Sequence, residues 1–247
     1  MCRCLLAVTL LLAIAPIGAQ ERTFDELLQQ ATQAAQRGDH AQAIERLTAA
    51  VKASPEEPIA RYLRGREHFR AGQIAEAVAD FDQYVRLLPS AENQQWERGI
   101  AYYYAGEYAK GARQFENYQK FHDQDVENSA WRYLCVARAE SIEKAQANML
   151  PIQHDPRVPM MEIYELYRGK LKAADVLAAA EAGNSEKSQL NQRLFYAHLY
   201  IGLWHEAAGR ADEAKRHILE AEKHKIAHFM WDVAHVHAER LRAAEKK

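Results

Sequence analysis

The stretch that decides the fold is residues 58–89, PIARYLRGREHFRAGQIAEAVADFDQYVRLLP. It holds two helical patterns separated by Gly72, where the backbone can reverse, and it closes on Pro89, which has no N–H to offer a continuing helix. Counting back 34 residues from Gly65, Gly72, Ala77, Phe81 and Pro89 gives Ala31, Gly38, Ala43, Leu47 and Pro55. The same step forward gives Gly99, Gly106, Gly111, Phe115 and Asp123. A helix pair of this length cannot bury its own apolar face, so a recurrence of this kind predicts stacking of one pair on the next.

Small residues at positions 8 and 20, glycine at 15 and a large apolar residue at 24 of a 34-residue unit resemble the tetratricopeptide repeat. The resemblance implies an all-α fold: an α-solenoid of stacked antiparallel helix pairs wound into a superhelix. The first unit, 24–54, is rich in Ala and Gln, and the polarity of Asp25, Gln29, Gln30 and Gln36 suits an exposed end. The third, 92–125, is aromatic, with Trp96, Tyr102, Tyr103, Tyr104, Tyr108, Phe115, Tyr118 and Phe121. Tyr84 and Tyr118 stand at position 27, where the family keeps a small residue, which predicts wider helix spacing there.

Outside these units the pattern divides the chain further. Residues 20–148 read as an array of three clear repeats and one degenerate one; in the last, Trp131, Leu134 and Cys135 mimic a first helix, and the turn near Glu140 is short and lacks its glycine. Pro151, Pro156 and Pro159 make 149–160 a loop. From 161 to 247 there follow a worn helix pair around Gly169, a clean unit with Gly202, Gly209, Ala214, Ile218 and Ala221 at positions 8, 15, 20, 24 and 27, and an amphipathic helix over 228–244 capping the end. Residues 1–19 read as a signal peptide: Arg3, an apolar run over 5–14, then Gly18 and Ala19 before a cleavage point at Gln20. Export to the periplasm or beyond is the expectation, as a mature chain without a transmembrane helix. Its one cysteine would be Cys135, which rules out an intramolecular disulfide. With 32 basic and 34 acidic residues spread along the chain, no basic stripe is present for nucleic acid.

The order of leader, repeats, irregular middle and a late unit reading Tyr200-Ile-Gly-Leu-Trp-His-Glu-Ala-Ala-Gly-Arg210 resembles the NlpI-like family of bacterial lipoproteins. That resemblance implies a periplasmic adaptor that brings a PDZ-containing protease and cell-wall hydrolases together. This chain departs from the family in lacking the lipid-bearing cysteine after its apolar run.

In tetratricopeptide repeats the concave face is lined by first-helix positions 2, 5, 9, 12 and 13, which here hold Tyr62, Arg66, Phe69 and Arg70, then Trp96, Ile100, Tyr103 and Tyr104. Aromatic anchors beside arginines suit a protein or peptide partner, an acidic or C-terminal segment above all. The partner-binding set is therefore Tyr62, Arg66, Arg70, Trp96, Tyr103 and Tyr104, some of whose rings also pack between helices. The residues of the chaperone-tail clamp are absent; Leu28, Thr32, Leu63, Asn93 and Glu97 stand in their places. The reading is a non-catalytic adaptor that needs no cofactor and leaves room for a homodimer. The competing reading is an enzyme or metal binder at the 149–160 loop, through His154 and Asp155, or at the C-terminal histidines. There His224 and His228 would share a helical face, while His235 and His237 would point about 200° apart. Cys135 sits in an apolar helix face and reads as a small hydrophobe. No phosphate loop, metalloprotease helix or Gly-x-Ser-x-Gly turn occurs.

Overall fold

Local capping chemistry starts the array. In the computed structural model, which describes residues 23–184 and 186–246, Thr23 and Glu26 cap each other's amides at the head of α1 (Phe24–Gln36), and Asp39 accepts from the Gln42 N–H to open α2 (His40–Ala53). The segment read as a signal peptide lies outside the described residues. Gly72, at φ 73°, turns α3 (Pro58–Arg70) into α4 (Ile74–Leu87), a left-handed conformation in which a side chain would be strained. Gly38 and Gly106 repeat the device between α1 and α2 and between α5 (Trp96–Tyr104) and α6 (Tyr108–Gln119). Pro89 ends α4 and opens a short 3-10 turn, Pro89–Gln94, ahead of α5.

The spacing of small and large residues becomes a contact. A Cβ at Gly65 would meet the Phe81 ring at 3.0 Å, one at Gly99 would meet Phe115 at 2.7 Å, and one at Gly202 would meet Ile218 at 2.9 Å. In each of these three units the large residue at position 24 therefore lies on the bare backbone at position 8, which lets the paired helices close up. A second 34-residue series fastens one pair to the next. Arg64 forks onto Asp80 at 2.7 Å through both nitrogens and reaches back to Thr48; Arg98 joins Asp82 and Gln114; Arg132 joins Glu116 and the Asn148 carbonyl. Each guanidinium thus bridges the second helices of two successive units. Tyr84 is accommodated by laying its ring on Tyr62, 5.2 Å between centroids.

Beyond the third unit come α7 (Val126–Ala139), the short α8 (Ile142–Ala147), a connection without helix over 148–159, α9 (Met160–Tyr167), α10 (Ala173–Glu181), α11 (Lys187–Ala207), α12 (Ala211–Lys223) and α13 (Phe229–Glu245). The described residues contain thirteen α-helices and no strand, and successive helices pack as antiparallel pairs: the fold is an all-α solenoid. None of these helices is long and apolar enough to cross a membrane.

One expectation needs correction. The last helix does more than cover the end of the array, for α13 packs on α12 and also on α3, so the chain curls until its end meets its second repeat. The cause is the sequence Phe229-Met230-Trp231, whose first two side chains are buried, too apolar for a solvated cap. The main core runs from Phe69 to Ala238, whereas a second, smaller core of Leu27, Ala31, Leu47, Ala50 and Ala60 joins the first repeat to the start of α3.

Ala77 is fully buried at the α3–α4 joint. Ala77→Leu is expected to overpack it and destabilise the protein by about 1–3 kcal/mol; an unchanged denaturant midpoint would contradict this packing.

Candidate partner-binding groove

The six candidate residues lie on α3 and α5, as the repeat register requires, but they are not equally open. Tyr103 and Tyr104 are only 5% and 8% exposed. The Tyr103 hydroxyl donates to Glu206 Oε2 at 3.1 Å and the Tyr104 hydroxyl pairs with His237 Nδ1 at 2.9 Å, while Trp131 closes over both rings. Their expected place on an open concave face is corrected to the core, because α11 and α13 cover it. Phe69 and Ile100 are likewise fully buried.

Trp96 remains half-buried, stacked on His228 at 5.9 Å and edge-on to Phe229 at 5.7 Å. Arg70 donates through Nε to Asp232 Oδ2 at 2.7 Å and also joins Glu67, so its charge is met within the chain. Tyr62 donates to Glu97 Oε1 at 2.7 Å; burial holds the Glu97 carboxyl above the usual carboxylate range. The residues that sequence reasoning missed are those of the connection 224–228 and the start of α13, which cross the inner face. Their signal was present in the apolar run after His228.

Arg66 differs from its neighbours. Its guanidinium lies 4.8 Å from the Phe229 ring centre and 5.7 Å from that of Tyr62, and it makes no hydrogen bond or ion pair among the described residues. Its Nε is buried without a partner. The group borders an open groove of about 710 Å³ between the first two repeats and residues 225–232. Leu47, Leu63, Ala31 and Ala35 give the groove an apolar floor; Arg37, Arg66, Arg70 and Lys225 outnumber the carboxylates of Glu67 and Asp232 at its walls. Such a groove can hold an extended chain and neutralise a carboxylate on it.

The competing sites are built differently. Asp155 is buried and accepts from Arg157 and from the Val126 N–H, whereas neighbouring His154 is exposed, so the two do not form a reactive pair. His224 and His228 fall on the connection between α12 and α13 and share no helical face, which corrects that expectation. His235 and His237 do diverge: His235 meets Glu222 at 2.7 Å, and His237 is buried against Tyr104. Glu222, His235 and Glu239 approach each other within 4.8 Å, but Arg242 bonds both carboxylates and makes the group an ion-pair network. Cys135 is fully buried, and burial pushes its thiol far above the reactive range.

Residues 28–92 match the family model of the tetratricopeptide repeat. These residues carry tetratricopeptide repeats. Among solved structures, this chain is similar to MamA from Desulfovibrio magneticus RS-1, at 14% identity and a TM-score of 0.51 over 81% of this chain and 93% of that one. It is also similar to a thermophilic tetratricopeptide protein of Thermus thermophilus, at 16% identity and a TM-score of 0.46 over 89% of this chain and 100% of the other. No curated protein matches it in sequence. At such identities the likeness is one of fold.

Proposed function

We propose that this tetratricopeptide array is a non-catalytic scaffold that binds a protein or peptide partner in the groove between its first two repeats, with Arg66 receiving a carboxylate of the partner. The observation that carries the reading is the Arg66 guanidinium, held between two aromatic rings with a buried, unmet Nε beside an apolar floor. An unpaired half-buried cation is a standing electrostatic cost that a carboxylate relieves, and planar guanidinium geometry favours that group. Tyr62 fixes one face of Arg66. Arg70, tied to Asp232, keeps the opposite wall in place. Export is part of the proposal: the leader-like segment over 1–19 would be removed before Gln20, and the mature mass decides it. Given the NlpI-like order of parts, envelope proteases and cell-wall enzymes are the partners to try first.

Arg66→Gln keeps the length and loses the charge. In a fluorescence-polarisation screen of peptides with free or amidated C-termini and with acidic or neutral side chains, the carboxylate-bearing ligands of the wild type should weaken by roughly 2 kcal/mol or more, about thirtyfold. Lys52→Ala, on the exposed side of α2, should leave affinity unchanged. Equal binding of every peptide by Arg66→Gln and the wild type would place the site elsewhere.

A further inference from the structure

A second cavity, of about 130 Å³, neighbours the groove, and His228 lines both. Its walls include Trp96, Phe115, Tyr118 and Trp131, four flat aromatic surfaces. Asn128 and Trp131 also line it, at i and i+3 on α7, so their side chains share a helical face. They are only 3% and 1% exposed, and each carries a polar atom without any partner: the acceptor Asn128 Oδ1 and the donor Trp131 Nε1. The orientation of Asn128 is fixed from outside. Gln119 donates to the Asp123 carbonyl at 2.9 Å and accepts from Asn128 Nδ2 at 2.7 Å, which leaves the Asn128 oxygen unmet.

Asp125 adds a third group. Its Oδ1 accepts from the Glu127 N–H and from Arg157, whereas its Oδ2 has no hydrogen-bond partner among the described residues. The other charges at the cavity are already matched. Arg157 bonds Asp125, Glu127 and Asp155, and the remaining Glu127 oxygen accepts from Tyr200 at 2.7 Å. Among the described residues, the polar atoms at the cavity without a hydrogen-bond partner are the acceptors Asn128 Oδ1 and Asp125 Oδ2, the buried donor Trp131 Nε1, and at its edge the Tyr118 hydroxyl and His228 Nε2.

We infer that this cavity is a binding site for a primary carboxamide, presented as the glutamine or asparagine side chain of the peptide bound in the neighbouring groove. The inference rests on the groove reading for the source of the amide, not for the site itself. The two N–H bonds of the amide are directed to Asn128 Oδ1 and Asp125 Oδ2, and its carbonyl accepts from Trp131 Nε1; the flat group lies against the aromatic walls. A carboxylate offers no donor and meets the Asp125 and Glu127 carboxylates. An alkylammonium offers no acceptor and leaves the indole N–H unmet. The volume holds an amide and the methylenes behind it, or a few waters at about 30 Å³ each.

The whole chain labelled with 15N-tryptophan carries four indole signals. Addition of propionamide should move the Trp131 signal to saturation, with propionate and propylammonium weaker by about tenfold or more, since each leaves buried partners unmet. Asn128→Leu, which removes the acceptor at similar size, should weaken propionamide by about tenfold. Arg66→Gln should leave propionamide binding unaltered, so a failed groove and a failed cavity give different results. The source is read from peptides with a C-terminal carboxylate differing only in Gln or Glu: preference for Gln in the wild type, lost in Asn128→Leu, assigns the amide to the partner peptide, and equal affinity overturns that assignment. No saturable shift with propionamide means that the cavity holds water only and overturns the site. Equal response to propionate does the same, even if Asn128→Leu fails to fold.

Discussion

Phe229→Ala is expected to destabilise the folded chain by about 3–5 kcal/mol, the range for removing a buried aromatic ring and leaving a cavity. Phe229 is 3% exposed, and its ring meets Phe69 at 5.4 Å and Trp96 at 5.7 Å, with the guanidinium groups of Arg66 and Arg70 above it at 4.8 and 5.5 Å. Truncation removes the wedge by which α13 holds to α3. It also takes a flanking ring from Arg66, so groove affinity should fall with stability, whereas Ala77→Leu acts on stability at a joint away from the groove. Denaturant unfolding is the measurement; a loss below about 1 kcal/mol would mean that α13 adds little to the fold, as an exposed surface change does.

His217→Gln and Glu127→Gln are expected to change stability with opposite dependence on pH. His217 is buried, and its Nδ1 lies 2.9 Å from that of His198, an arrangement that holds one proton between two neutral rings. Burial first, then His198, Arg216 and His205, lowers its pKa to about 4. Between the unfolded value near 6.5 and the folded one, the unfolded chain takes up a proton that the folded chain refuses, so stability is lost as pH falls. From pH 7.5 to pH 5 the stability of His217→Gln should therefore rise by about 2 kcal/mol relative to wild type. Glu127 is the reverse. Burial and then Asp125 raise its carboxyl to about 7 against the pull of Arg157 and Tyr200. The folded state holds that proton more tightly than the unfolded state, so this contribution is present at low pH and is lost as pH rises through about 7. Glu127→Gln should accordingly gain on the wild type as pH rises from 5 to 8. Slopes of the same sign in urea melts would contradict the burial assigned to one of the two groups.

The periodic part of this molecule was legible because its causes are local. A left-handed glycine at Gly38, Gly72 and Gly106, and a large residue lying on a bare backbone as Phe81 lies on Gly65, are decided within one unit, so their spacing survives in the sequence. The Arg64, Arg98 and Arg132 series has the same spacing, but the register of the unit is carried by small and apolar residues, and charges at a fixed spacing are common on any solvated helix face. The groove was only half legible. The repeat pattern placed Arg66 and Trp96 on the inner face, and nothing within a 34-residue window announces that Asp232 will meet Arg70 or that His237 will meet Tyr104. Those pairings depend on the total curvature of several stacked pairs. The cavity residues Asn128 and Trp131 were hidden for another reason: Trp131 fills a repeat position well, and unmet atoms become visible only once every neighbour has been placed.

The return of α13 to α3 also bears on how the chain acquires its structure. In an open array, folding can nucleate in any unit and spread to its neighbours, because every contact joins residues close in sequence. Here Arg70 and Asp232 are separated by 162 residues and Tyr104 and His237 by 133, so these contacts can form only after the intervening pairs have stacked with the right bend. That late step couples the second repeat to the last helix as one cooperative block. The first repeat packs through a second, smaller core that reaches α3 only at its start, at Ala60 and Leu63, and so stays outside the block. Amide protons of α1 and α2 should then exchange through local opening, ahead of the rest, while those of α3 and α13 leave together. The groove lies on the boundary between the two. One wall belongs to the first repeat, held to the block only at α3, and the other to the block itself, so movement of the first repeat would admit an incoming chain without undoing the closure.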